Sequence, residues 1–247
     1  MGALFVRGPW RLPLIALGLG VALVGLSIGV HAHDWVTALD GRAAAWIDYR
    51  VQRSPRLHAG ATKVAHFGNP AAVALAGLIG AAVLAALHRS LVVGVVVVAT
   101  IGAAVFAKDV MKLVIERPVS QTEIALAAPG LSSEPHPFPS GHVTGTAALL
   151  GIVAFGVGMG CGYALRVLLA SCVAAGTLIV GVSRLVLGAH WLSDVVGGVL
   201  LAGVAVALGG AVLSSTSRTR PRAQRGRRLP QQQPLDQNRR LARRPLT

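Results

Sequence analysis

The chain has 247 residues, of which 53% are hydrophobic and 13% charged, with a mean hydropathy of +0.64; a soluble domain carries roughly 25% charged residues, so a typical water-soluble globule is excluded. The net charge is +14, yet ten arginines and one acid, Asp236, fall in residues 214–247, so +9 of the excess sits in the last 34 residues and +5 in the other 213. That distribution describes a membrane protein with a basic tail rather than a nucleic-acid binder.

A membrane-crossing helix needs about 20 mostly apolar residues. Six stretches qualify: 12–30, 71–87, 91–108, 143–160, 167–182 and 195–213. The third gains length if it runs on to Val114, and the fifth if 183–187 continue it. Arg7 and Arg11 precede the first, which ends in Val30-His31-Ala32, a passable signal-peptide cleavage pattern. Its 19 apolar residues exceed the run of about 7–15 usual in a signal core, which favours a retained helix. Between the first two spans Trp35, Leu39, Ala43, Trp46 and Val51 recur at helical spacing, with Asp40, Arg42, Asp48 and Arg50 among them. This predicts an amphipathic helix, either lying on the outer membrane face or packed against the rest of the protein. His31, His33, His58 and His66 have no ligand-like partners and read as surface histidines, and Gly68-Asn69-Pro70 is a turn that leads into the second span. Cys161 and Cys172 give neither a disulfide framework nor a zinc spacing, and read as small buried hydrophobes.

Arg7, Arg11, Arg89, Arg166 and the tail arginines fall on one side of six alternating spans. That side is expected to be cytoplasmic, with both termini inside. Trp10 and Tyr163 on the inner edge, and Trp35 and Trp191 on the outer, suit interfacial positions. The tail lacks apolar periodicity and is expected to be disordered and drawn to anionic lipid, at ~1 kcal/mol per charge near the surface. It has no aromatic interleaving, so no nucleic-acid partner is expected. The expected fold is all-α: an integral membrane bundle of six transmembrane helices with an outer-face amphipathic helix over residues 1–213, followed by the tail, 214–247.

Three polar clusters interrupt the apolar chain, all at outer helix ends. Lys108, Asp109, Lys112, Glu116 and Arg117-Pro118 straddle the end of the third span, where Pro118 disfavours helix at Arg117. Phe138-Pro139-Ser140-Gly141-His142 leads into the fourth span. Ser140 is placed to cap that helix, and the amides of Gly141, His142 and Val143 would form an anion site at its N-terminus. Ser183-Arg184, five residues, His190, three residues, Asp194 make the third cluster. If that stretch is helical, Asp194 shares a face with His190 and can orient its imidazole. Each cluster alone has an ordinary explanation: basic residues snorkel at helix ends, Pro-Ser-Gly makes turns, and a His beside an Asp is often only a satisfied pair. Together they supply cations, a helix N-terminus and two histidines, a set suited to holding a phosphate while it is attacked.

These motifs resemble the type 2 phosphatidic acid phosphatase superfamily of membrane lipid phosphatases, which is related to vanadium haloperoxidases and bacterial acid phosphatases. The family's second motif, Pro-Ser-Gly-His, is matched by Pro139 to His142, and its third by Ser183 to Asp194. The first motif departs from the pattern. Four residues separate Lys112 from Arg117 where the family has six before its Arg-Pro, and Val119 stands where the family's arginine would fall. Arg117 matches an arginine often found two positions earlier, and Lys108 is a weaker substitute for Lys112. The resemblance implies that His190 is the nucleophile, that Asp194 holds its ring, and that His142 is the general acid. It also implies that Lys112, Arg117, Arg184, the Ser140 hydroxyl and the Gly141 amide bind the phosphoryl oxygens, with no metal or other cofactor. The activity it implies is hydrolysis of a lipid phosphate or polyprenyl diphosphate at the outer face of a bacterial inner membrane. A phosphoryl or phospholipid transferase of the same fold, and a non-catalytic transporter or scaffold, are the alternatives.

Overall fold

The structure, a computed structural model, describes residues 10–32, 35–51, 54–117 and 137–218. Its regular elements are all helices: α1 (Arg11–His31), α2 (Trp35–Val51), α3 (Pro55–Phe67), α4 (Pro70–His88), α5 (Leu91–Ile115), α6 (Gly141–Gly158), α7 (Tyr163–Val186) and α8 (Leu192–Arg218). Six of them, α1 and α4 to α8, are long and apolar enough to cross a membrane. Their outward faces carry exposed large hydrophobics such as Leu14, Val21, Leu75, Phe106, Leu168 and Leu178. In water such a surface would drive aggregation, whereas hydrocarbon solvates it.

The central helices are α6 and α8. Helices α4, α5 and α7 pack on α6, while α1 and α5 pack on α8. A main core cluster joins Val73, Leu84, Val97, Ile152 and Leu213 from four of these helices. A second ties Leu23 and Val30 of α1 to Val36, Phe138 and Leu201. Glycine permits the closest approach. A Cβ on Gly198 would stand 2.9 Å from the Ser140 carbonyl oxygen, and one on Gly197 2.6 Å from the Phe138 ring. The pair therefore lets α8 press against the segment that opens α6.

Local chemistry sets the helix ends. Asn69 caps α4, its side-chain oxygen accepting from the Ala71 amide at 2.8 Å, with Pro70 at the first helical position. Pro118, to which the sequence assigns the end of α5, lies outside the described residues. What ends the helix within them is Glu116, which adopts a left-handed conformation (φ 42°) and is followed by a buried Arg117.

Several sequence expectations need correction. Helix α8 continues beyond 213 to Arg218, and the hydroxyls of Ser214, Ser215 and Thr216 are accommodated by bonding back to carbonyls at Gly210, Val212 and Leu213. Residues 219–247 lie outside the described part, as does His33. Residues 55–67 form a further helix, α3, and Cys172 is exposed on a span rather than buried. Ser140 does open α6, but its hydroxyl makes no capping bond. The stripe of α2 that faces the protein is Val36, Asp40, Ala43, Ile47 and Val51, while Trp35, Leu39 and Trp46 are exposed. Asp40, grouped with the polar residues from sequence, is therefore an acid inside an apolar stripe.

Candidate active site

The three motifs meet at one end of the bundle. Lys108 and Lys112 come from the last turns of α5, and Ser140, Gly141 and His142 open α6. Arg184 comes from the last turn of α7, and His190 and Asp194 flank the start of α8. The α7–α8 connection is not a continuous helix, so the helical condition on the His190–Asp194 spacing is met only in part. Helix α7 stops at Val186, Gly188 takes a left-handed turn (φ 64°), and His190 precedes α8. The i, i+4 pairing survives because Asp194 lies in the first turn of α8. Its Oδ2 accepts from the Trp191 amide at 2.9 Å, as the third residue of a capping box does. A carboxylate in that position also faces the positive end of the helix.

His190 is buried, and its Nδ1 lies 3.5 Å from Asp194 Oδ2. With the carboxylate at Nδ1, the ring proton belongs there, and Nε2 carries the lone pair. Neither ring nitrogen makes a hydrogen bond among the described residues: Nδ1 has the Asp194 charge contact at 3.5 Å, and Nε2 is open. Burial, the largest influence, pushes the imidazole below its ordinary pKa; Asp194 pulls the other way, and Arg184 and Lys112 add to the lowering. A neutral, desolvated imidazole with a free nitrogen is a competent nucleophile at neutral pH.

The surrounding groups suit an anion. Ser140 is buried and its hydroxyl has no partner among the described residues, nor has the Nε of buried Arg184. Buried polar atoms are rarely left unsatisfied, and Ser140 stands at the N-terminus of α6, a place that favours an anion. Lys112 and Arg184 act electrostatically on both histidines, so the cations and the imidazoles share one site. Lys108 comes closer than its standing in the sequence implies: its Nζ would lie 3.7 Å from a Cβ on Gly141, while pairing with Asp109 at 2.5 Å. His142 is half-buried, and its ring lies against the Gly68 turn, where a Cβ would stand 3.2 Å from Cδ2.

Arg117 is placed differently from expectation. Its Nη1 donates to Asp194 Oδ1 at 2.6 Å and to Ser193 Oγ at 2.7 Å, and its Nη2 donates to Asp40 Oδ2 at 2.7 Å. Both terminal nitrogens thus face carboxylates, and the Trp191 ring covers the guanidinium 5.5 Å away. Val119 lies outside the described residues. Asp40 and Ser193 went unread in the sequence. The available signal was the acid within the Val36, Ala43, Ile47, Val51 stripe, since a carboxylate on a packed face needs a buried partner.

The fold and the site define a polytopic helical membrane protein with a buried His–Asp pair set beside cations and a helix N-terminus. The profile of the PAP2 superfamily matches residues 90–219, just over half of the chain, and the chain belongs to that family. Its fold is similar to that of the first transmembrane PAP2 type phosphatidylglycerolphosphate phosphatase from Bacillus subtilis, solved by crystallography. The TM-score is 0.71 at 22% sequence identity, over 83% of this chain and 99% of that one. No curated protein matches the chain significantly.

Proposed function

We propose that the protein is a membrane phosphatase that hydrolyses a lipid phosphate or polyprenyl diphosphate through a phosphohistidine on His190. The observation that carries this reading is the buried Nε2 of His190, which has no partner among the described residues, in a site whose field includes the Arg184 guanidinium. In the first step Nε2 attacks phosphorus, the bond to the lipid oxygen breaks, and His142 gives that oxygen its proton. In the second, His142 takes a proton from water, the oxygen attacks phosphorus, the P–N bond breaks and inorganic phosphate leaves. Asp194 stabilises the positive ring of the intermediate. Lys112, Arg184, Ser140 and the Gly141 amide hold the phosphoryl oxygens. The basic flanks Arg11, Arg89 and Arg166 lie at the opposite helix ends, which supports a site on the outer face of a plasma membrane.

Phosphate release from the purified protein in detergent tests this reading. The panel is phosphatidic acid, phosphatidylglycerol phosphate, and polyprenyl mono- and diphosphates, with a lipid alcohol present as acceptor. Free phosphate is expected from at least one of them. Phosphate appearing only on the acceptor alcohol would make the protein a transferase, and release from none would contradict an enzymatic role. His142→Ala should slow the first step, formation of the phosphoenzyme, by ~10²–10⁴-fold with a lipid phosphate while sparing that step with an aryl phosphate, whose leaving group needs no acid. Equal losses on the two substrates would count against His142 as the acid.

A further inference from the structure

Asp40 belongs to none of the three motifs, yet it is 2% exposed. A carboxylate in that position has lost its water and must find donors in the protein. It has three: Arg117 Nη2 at 2.7 Å, the Ser193 amide at 2.8 Å and the Ser193 hydroxyl at 2.6 Å. The same arginine holds Asp194 Oδ1 at 2.6 Å through its other terminal nitrogen. Ser193 accepts from that nitrogen, so Asp40, Arg117, Ser193 and Asp194 form one closed network, and Asp194 is fully buried within it. The Trp191 amide fixes the second carboxylate oxygen from the other side.

We infer that Asp40 is a positioning residue for the reaction: acting through Arg117 and Ser193, it fixes the Asp194 carboxylate against His190, and this makes the short helix α2 a working part of the site. The inference rests on the reading of His190 as the nucleophile. Its physical content is twofold. Asp40 anchors the guanidinium, so that Arg117 meets Asp194 in one geometry and Asp194 meets the ring in one geometry. Asp40 also balances the charge of Arg117, which would otherwise weaken the hold of Asp194 on a positively charged ring. The groups that act on His190 from its neighbours are Asp194 on α8, Arg184 on α7, Lys112 on α5 and His142 on α6. On its α3 side, Ala61 and Ala65 pack with Ala189, while titratable groups of that helix, His58, Lys63 and His66 among them, are not among the groups that act on the ring. Removing the Asp40 charge makes this field more positive, so the imidazolium becomes less favourable and the acid limb of activity moves to lower pH.

The test is the pH dependence of kcat and KM for Asp40→Asn, with Asp40→Glu, Asp48→Asn and His190→Ala beside it, on whichever lipid phosphate the wild type cleaves best. Asp40→Asn is expected to lower kcat by about 10–100-fold, the scale typical of an outer partner of a functional histidine. KM should change little, and the acid limb should fall to lower pH. Asp40→Glu keeps the charge and should keep the limb in place while kcat falls in part. Asp48→Asn, exposed on the same helix, should match the wild type. A lower melting temperature in Asp40→Asn with the acid limb and kcat unmoved would overturn the inference, because Asp40 would then only anchor α2. Should Asp40→Asn fail to fold, Asp40→Glu decides: reduced kcat at unchanged KM supports positioning, and a change confined to KM overturns it. Turnover retained in His190→Ala would remove the nucleophile reading and the inference together, whereas an inactive His190→Ala beside a wild-type Asp40→Asn removes the inference alone.

Discussion

Replacing His190 by alanine is expected to lower turnover by ~10⁶-fold, the scale on which deletion of a covalent nucleophile acts, while leaving the protein folded in the membrane. The ring occupies a buried position and makes no hydrogen bond among the described residues that would tie it to the fold. Its removal therefore takes away chemistry and little structural support. No other imidazole can substitute at that point. His142 stands at the first turn of α6, and His190 is the imidazole that pairs with the Asp194 carboxylate among the described residues, at 3.5 Å. Turnover within tenfold of the wild type in His190→Ala would mean that the attack on phosphorus is made by water or by another residue.

Arg117→Ala is the second large effect, and the structure changes its expected form. A phosphate ligand lost from a partly dehydrated site would raise KM or lower the rate through weaker transition-state binding. Arg117 instead bridges two buried carboxylates and a serine. Deleting one partner of a buried ion pair costs about 3–5 kcal/mol, because the remaining charge stays desolvated without compensation. Arg117→Ala should therefore lower the melting temperature, and lower kcat by ~10²-fold or more with KM nearly unchanged. Arg117→Lys should recover only part of both, since a lysine is a point donor and cannot present the planar fork that meets Asp40 and Asp194 together. Val119→Arg should not rescue Arg117→Ala, since a phosphate ligand does not replace a brace between carboxylates. An intact melting temperature with a raised KM would place Arg117 on the substrate after all.

How much of this could be read in the sequence follows from the range of each interaction. The spans were legible because a run of apolar residues is a local property, and the second and third motifs because their residues lie within a few positions of one another. The Ser140 amide donates to the Asp194 carbonyl at 3.0 Å, which joins those two motifs at the outer helix ends where the sequence places both. Asp40 and Ser193 are 153 positions apart, and no local pattern couples them. Two apolar stripes also overlap on α2: Trp35, Leu39 and Trp46 on its exposed side, and Val36, Ala43, Ile47 and Val51 on its packed side. The aromatic stripe has the stronger amphipathic signal and hides the acid in the other. The role of Arg117 was unreadable for a related reason. Its motif departs from the family's spacing, and which anion it faces is decided by α2 and α8, not by its own neighbours.

The central claim, a covalent phosphohistidine on His190, is tested most directly by trapping it. Wild-type protein mixed with a lipid phosphate labelled in its phosphoryl group and quenched within one turnover should carry a label that is stable to base and labile to acid, and peptide mapping should locate it on His190. The label should be absent from His190→Ala. Label on any other residue, or turnover in the wild type with no phosphoenzyme on a quench faster than the turnover rate, would contradict the account.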